Sequence, residues 1–150
     1  MNKRKATVCS TIKASWHSIS RLYNEQAAKH QLTASIGYVL LNIDAEGTPA
    51  TKIGPLVGTE SRSLTRMLKG LEEAGLIYKV QSAEDKRSVK IFLTEKGKEK
   101  REVAKEVVKR FNFILRETIP EEKLLVFFEV MAKINEIIDT KNIYKPENSL

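Results

Sequence analysis

Hydrogen-bond donors and positive charges are concentrated in one polar stretch near the middle of the chain, Thr59 to Arg66. If this stretch is helical, Leu64 points to the core and hydroxyl and guanidinium groups remain outside. Arginine can bind a phosphate or a guanine edge through two parallel hydrogen bonds. The stretch therefore predicts contact with a nucleic acid, although its composition alone also fits an ordinary solvated helix face. The residues predicted to make the contact are Ser61, Arg62, Ser63, Thr65 and Arg66.

A second polar segment, Ser82 to Arg87, ends in two adjacent cations, Lys86 and Arg87. Cations at the tip of a turn can reach phosphates or the minor groove, where negative potential is concentrated and attracts arginine. Asp85 would repel phosphates, so we expect it to act within the protein. It would pair with Arg87 or with a nearby helix and hold the turn in shape.

Apolar periodicity predicts the helices that must position these two segments. A stripe from Val8 to Ala27 at three- and four-residue steps predicts a long first helix. Thr33 is expected to cap a second helix that Gly47 ends. Thr48-Pro49 is expected to begin a third, because proline is favoured at the first helical position. Glu60 to Ala74 is predicted to form the fourth.

After the fourth predicted helix, the apolar residues no longer recur at helical spacing but alternate with polar residues. Two alternating apolar runs predict a hairpin around the turn Gln81 to Ser88: Leu76, Tyr78 and Val80, then Val89, Ile91 and Leu93. Thr94 is expected to cap a fifth helix and Pro120 to open a sixth. Two short helices followed directly by a hairpin are the order of a winged helix-turn-helix, whose second helix enters the major groove. The predicted fold class is mainly α with a small β-hairpin wing: a winged helix-turn-helix domain plus a helical dimerisation region.

The sixth predicted helix carries apolar residues on more than one face, between Leu124 and Ile138. A helix that is apolar on two faces must be covered on both, and a chain of 150 residues has little else to cover it. A second copy is the natural solution, so we expect a homodimer. The alternative is that this helix crosses the centre of its own domain.

The composition is that of one folded domain, with 41% hydrophobic and 30% charged residues. The net charge of +7 is concentrated in residues 1–30 and 59–98. A basic surface fits a polyanionic partner, although membrane adhesion and solubility also produce it. No apolar run is long enough to span a membrane. Since no apolar stretch follows the basic start, we expect no secretory signal. The single cysteine, Cys9, fits a reducing compartment, so the expected location is the cytoplasm.

The stretch Asp85 to Gly97 reads Asp-Lys-Arg-Ser-Val-Lys-Ile-Phe-Leu-Thr-Glu-Lys-Gly. It resembles the wing signature of the multiple-antibiotic-resistance regulator (MarR) family, Asp-x-Arg-x5-Leu-Thr-x2-Gly. Leu71 to Ile77 also resembles the family's passage from recognition helix into wing. The resemblance implies a single domain over residues 1–150, with a DNA-binding lobe at about 33–94 and dimerisation helices at about 5–30 and 95–140.

The same resemblance implies a function. Family members are obligate homodimers that bind palindromic operators in double-stranded DNA, often as repressors released by small aromatic acids or oxidants. By position, Arg87 is the wing arginine that touches DNA and Asp85 is the residue that orients it. Pro55 in the third helix and Gly70 in the fourth depart from the usual pattern without breaking the match.

Two ways of sensing an effector stay open. Cys9 resembles a cysteine with which some family members sense organic peroxides, and Tyr23 falls on a matching tyrosine, whereas Lys13 stands where a second tyrosine is expected. Otherwise Cys9 is a small half-buried thiol without a role. The other way is a pocket for a small aromatic effector, although aromatic residues at helical spacing more often belong to a core. Its candidate wall residues are Trp16, His17, Tyr23 and Tyr38.

The sequence contains no motif that indicates catalysis, metal binding or nucleotide binding. His17 and His30 have no partners that indicate a catalytic triad, no zinc-ligand spacing is present, and no Gly-rich phosphate loop occurs. We therefore expect no enzymatic activity, no cofactor and no metal. A winged-helix module that binds protein rather than DNA is the remaining alternative. The discriminating feature is the set of cations Arg62, Arg66, Lys86 and Arg87, which such a module does not need.

Overall fold

The structure, a computed structural model, describes residues 6–141, 143 and 144. The chain forms two compact units, Met1–Val108 and Lys109–Leu150, and the division falls within the fifth helix. The predominance of helix and the small sheet confirm the predicted fold class. The elements are α1 (Val8–Ala28), α2 (Ala34–Leu41), β1 (Thr48–Pro49), α3 (Ala50–Val57), α4 (Ser61–Glu73), β2 (Ile77–Gln81), β3 (Val89–Leu93), α5 (Glu95–Thr118) and α6 (Glu121–Thr140).

The core of the first unit lies between α2, α3, α4 and the sheet. Its most deeply buried side chains are Val39, Leu40, Ile43, Ile53, Leu71, Ile77 and Ile91. The prediction that Leu64 points to the core is confirmed, and Leu68 and Leu71 of α4 are buried beside it. Each such side chain contributes about 1.5–3 kcal/mol when it is removed from water, so the core fixes which side of α4 faces outward.

The sheet has three antiparallel strands in the order β1-β3-β2, and β1 corrects a prediction. Thr48-Pro49 does not begin the third helix: Thr48 pairs with Ile91, and α3 starts at Ala50 with Pro49 as its N-cap. The side chain of the buried Thr48 accepts a hydrogen bond from the Asp44 N–H at 2.9 Å. This contact stabilises extended backbone, and proline is tolerated because β1 is an edge strand.

The predicted hairpin is present, but β2 begins one residue later than the apolar run Leu76, Tyr78 and Val80 that predicted it. Leu76 is buried in the turn that follows α4, and the strand begins at Ile77, which is also buried. Because side chains alternate along a strand, Tyr78 and Val80 point outward and are 46% and 45% exposed. The ring of Tyr78 stacks on that of Phe92, with centroids 5.4 Å apart.

The second helix ends earlier than predicted. It stops at Leu41 with Asn42 as its C-cap, and Gly47 lies in the following loop with a φ of +85°. A Cβ at Gly47 would overlap the ring of Phe92, so the glycine serves this close approach rather than a helix end. The predicted cap at Thr33 is confirmed, because its side chain accepts from the Ile36 N–H at 3.2 Å.

In the second unit, α6 has no buried residue. Six of its apolar side chains are each more than half exposed: Leu125, Val126, Phe127, Phe128, Val130 and Ile138. Four of them are consecutive in sequence, so they surround the helix axis. The prediction that this helix is apolar on more than one face is therefore confirmed.

Candidate nucleic-acid interface

A tight turn separates α3 from α4. Gly58 ends α3 in the left-handed conformation, with a φ of +66°, which glycine adopts without a steric penalty. The Thr59 N–H then donates to the Gly54 carbonyl at 3.1 Å, and Glu60 is extended before the first turn of α4. Pro55 lies within α3, which runs continuously past it. The chain thus leaves one short helix and enters the next within three residues.

The outer side of the first turns of α4 carries the predicted DNA-contacting residues, and each of them is exposed: Ser61, Arg62, Ser63, Thr65 and Arg66. Arg62 and Arg66 are four residues apart and therefore neighbours on one face of the helix. Within residues 6–141, 143 and 144, no carboxylate lies at ion-pair distance from either guanidinium. The Thr65 hydroxyl donates to the Ser61 carbonyl at 2.9 Å, so in this conformation its oxygen can only accept a hydrogen bond from a ligand.

The hairpin tip between β2 and β3 is held by its own hydrogen bonds. The Ser82 N–H donates to the Ser88 carbonyl at 2.8 Å and closes the loop. The Ser88 N–H donates to the Asp85 carbonyl at 2.9 Å. The Ser82 hydroxyl oxygen accepts weakly from the N–H groups of Glu84 and Asp85, at 3.3 and 3.4 Å.

Asp85 acts on the backbone of Arg87. Its Oδ1 accepts the Arg87 N–H at 2.9 Å, which forms an Asx-type turn. The side chains of Lys86 and Arg87 are exposed, so both cations are accessible to a ligand. The sequence predicts that Asp85 pairs with Arg87 or with a nearby helix; its contact in the structure is with the main chain of Arg87.

Gln81 was missed by sequence reasoning. Its Nε2 donates to the Lys86 carbonyl across the base of the tip. A glutamine at the end of a strand carries no sequence signal for this bond, because the bond depends on how the loop folds back. It adds a third side chain, after Ser82 and Asp85, to those that shape the tip.

The candidate sensing residues are placed as follows. Trp16 and His17 are exposed on α1, Tyr38 is exposed on α2, and Tyr23 is half-buried on α1, where burial raises the pKa of its phenol. Cys9 is the second residue of α1 and is exposed. The effector pocket and the redox role stay predictions.

Neither a metal site nor a membrane-spanning helix is found in the part of the chain that the structure describes. No group of three or more His, Cys, Asp or Glu side chains could hold a metal ion there. None of the helices in those residues is long and apolar enough to cross a membrane.

A helix-turn-helix followed by a short antiparallel sheet, with the second helix presenting cations, defines a winged helix-turn-helix protein. The family model described as "MarR family" matches residues 39–89. The chain is 30% identical over 132 residues to the HTH-type transcriptional regulator SarZ of Staphylococcus saprophyticus, an alignment covering 85% of this chain and 90% of SarZ. This chain belongs to the MarR family of DNA-binding transcriptional regulators.

Two further comparisons define how far the likeness extends. The HTH-type transcriptional regulator TtmR of Methylorubrum extorquens is 36% identical over 92 residues, which are 61% of this chain but only 47% of TtmR. The chain therefore spans about half the length of that relative. The solved structure of the transcriptional repressor CouR bound to a 23-mer DNA duplex has a TM-score of 0.77 and 27% identity, covering 90% of this chain and 96% of CouR.

Proposed function

We propose that the chain represses transcription as a cytoplasmic, non-enzymatic homodimer that binds a palindromic operator in double-stranded DNA. The observation that carries the proposal is the exposed donor set on α4, including Arg62 and Arg66, together with Lys86 and Arg87 at a tip shaped by Asp85. Both surfaces lie in the first unit. CouR, a relative in fold, is described as a repressor on a DNA duplex, which supports the repressor role.

The two surfaces are assigned different tasks. Arg62 and Arg66, with Ser61, Ser63 and Thr65, lie in the first turns of α4, the part of a recognition helix that contacts base edges. Lys86 and Arg87 act on phosphates or in the minor groove, where arginine is favoured by the negative potential. Contacts to phosphate position the protein, whereas contacts to base edges supply sequence preference.

The homodimer is supported by apolar surface that the described chain leaves uncovered. No residue of α1 is buried, and Val8 and Trp16 are 59% and 61% exposed. In α6, Phe127 and Phe128 are 53% and 51% exposed. Removing such surface from water contributes roughly 25 cal/mol per Å². A second copy offers the same helices and can cover them symmetrically.

A small aromatic effector would release the operator by binding one arrangement of the dimer better than the other. Trp16, His17, Tyr23 and Tyr38 remain the proposed contacts, and the exposed rings of Trp16 and Tyr38 supply aromatic surface for such a ligand. Loss of operator binding on addition of salicylate-like compounds, restored by Trp16→Ala, is the expected result. Unchanged binding at millimolar compound contradicts this part of the proposal.

Selection of operators from random duplexes tests the central claim. We expect a palindromic consensus, and binding that weakens steeply as salt rises, because bound cations release condensed counterions from DNA. Recovery of no consensus, or affinity independent of salt, contradicts the proposal and favours a winged-helix module that binds protein. Repeating the selection with organic peroxide tests the sensor alternative, in which wild type loses binding and Cys9→Ser does not.

A further inference from the structure

The end of the recognition helix α4 is tied to the start of α5 through three consecutive carbonyl groups. The Ala74 carbonyl accepts from Lys96 Nζ at 3.1 Å. The Gly75 carbonyl accepts from the Thr94 hydroxyl at 2.6 Å. The Leu76 carbonyl accepts from the Thr94 N–H at 3.1 Å.

The groups that donate to these three carbonyls belong to Thr94 and Lys96, at the start of α5. The Thr94 hydroxyl oxygen also accepts the Gly97 N–H at 3.0 Å and so caps α5, as the sequence predicted. A Cβ on Gly97 would overlap the Leu76 carbonyl oxygen, so only glycine allows the two backbones to come this close. We call Thr94, Lys96 and Gly97, with the carbonyls of residues 74–76, the α4–α5 junction.

The rest of the α4 terminus is already satisfied by its own backbone. Gly75 is left-handed, with a φ of +71°, and its N–H donates to the Glu72 carbonyl. The Leu76 N–H donates to the Leu71 carbonyl, which completes a Schellman motif. The junction therefore adds bonds beyond those needed to end the helix.

The charge of Lys96 also indicates that this side chain serves the end of α4. A cation in the first turn of a helix is unfavourable for that helix, but it is favourable at a helix C-terminus. Lys96 lies in the first turn of α5 while its ammonium contacts the C-terminal end of α4. Its position is explained by α4 rather than by α5.

We propose that Thr94, Lys96 and Gly97 are positioning residues for DNA recognition: they fix the direction of α4 against α5 and thereby control sequence preference without touching DNA. The proposal rests on the proposed operator binding. A helix that can tilt still offers its cations to phosphates, which are present on any duplex, but it loses the alignment that base edges require. The junction should therefore affect preference more than overall affinity.

Lys96→Met against Lys98→Met is the matched test. Both changes remove one positive charge from the first turns of α5, but Lys98 is paired with Glu95 at 2.9 Å and donates to no α4 carbonyl in the described structure. The measured quantity is the ratio of the dissociation constants for a random duplex and for the selected operator. We expect Lys96→Met to lower this ratio about fivefold, which corresponds to one hydrogen bond, and Lys98→Met to leave it unchanged. Equal ratios in the two variants overturn the proposal.

Thr94→Val and Thr94→Ser give a second, independent comparison. Valine keeps the shape but removes the hydroxyl that links the Gly75 carbonyl to the Gly97 N–H, whereas serine keeps it. We expect the ratio to fall in Thr94→Val and to recover in Thr94→Ser. Simple loss of stability lowers the active fraction for both duplexes equally and leaves the ratio constant, so a constant ratio in Thr94→Val counts against the proposal. Wild type without any operator preference overturns the proposed function itself.

Discussion

The carboxylate of Asp85 accepts a hydrogen bond from the backbone N–H of Arg87, with Oδ1 and N 2.9 Å apart. The acid therefore shapes the main chain from which the wing arginine projects. The contact gives the carboxylate a role within the turn, next to the two cations that we propose to contact DNA, Lys86 and Arg87.

Asp85→Ala is expected to weaken operator binding about fivefold, since it removes one hydrogen bond that holds Arg87 in place. Asp85→Asn keeps an acceptor oxygen and removes the charge, so its affinity should equal or exceed that of wild type. Fluorescence anisotropy with a labelled operator measures both. In an Arg87→Ala background, Asp85→Ala should have no further effect; an additive loss would show that Asp85 acts on something other than Arg87.

Arg87→Ala and Arg66→Ala should weaken binding in different ways. If Arg87 contacts phosphate, its loss lowers the affinity for operator and random duplex alike and makes the dependence of log affinity on log salt shallower by about one. If Arg66 reads a base, its loss relaxes preference at one operator position, at a cost of about 1–3 kcal/mol there. Binding to a set of single-base operator variants at several salt concentrations distinguishes the two roles. The same salt slope in both variants would contradict the division of tasks.

Local sequence signals predicted the elements of this site closely. The fourth helix was expected at Glu60–Ala74 and occupies Ser61–Glu73, because an apolar period and a following glycine mark its ends. The caps at Thr33 and Thr94 follow from residue type alone. The bounds of α4 and these two caps are determined by residues that lie within one or two helical turns along the sequence.

The features that sequence reasoning missed depend on contacts between distant parts of the chain. Pairing of Thr48 with Ile91 makes β1 a strand, although two residues carry no detectable alternation. Lys96 and the Ala74 carbonyl are 22 residues apart. Neither contact produces a periodic pattern in the sequence, so both become visible only in the folded chain.

Gly97→Ala and Gly70→Ala should change stability in opposite directions. A methyl group at Gly97 would overlap the Leu76 carbonyl, a backbone atom that cannot rotate away, so we expect a loss of about 1–3 kcal/mol in the free energy of unfolding. No atom lies within 4 Å of the Cβ position at Gly70, which is within a helix. Alanine there should stabilise the protein by about 1 kcal/mol. Chemical denaturation measures both, and a stable Gly97→Ala protein would disprove the close approach.

Tyr23→Phe should alter the alkaline limit of stability. Burial raises the pKa of the Tyr23 phenol in the folded state, so the unfolded chain releases this proton first as pH rises. The contribution is fully present below the unfolded pKa of about 10 and is lost as pH rises from there through the folded pKa. Phenylalanine cannot ionise, so the variant should lose less stability across that window. Denaturation at a series of pH values from neutral to alkaline tests this, and parallel curves for the two proteins would contradict it.

Phe128→Arg should separate the proposed dimer. Phe128 is 51% exposed in the described chain, and covering it with a second copy would bury an aromatic ring that arginine cannot replace. Two linked half-site contacts bind far more tightly than one, so we expect operator affinity to fall on the order of a hundredfold. The half-sites in the wild-type operator should lie about 10–10.5 base pairs apart.

Glu129→Arg is the control for this prediction. It places the same residue one position along α6, at a side chain that is already polar, and the variant should remain dimeric. Sedimentation at micromolar concentration measures the oligomeric state. A wild-type monomer, or a Phe128→Arg dimer with normal affinity, would show that this face of α6 is not the subunit interface.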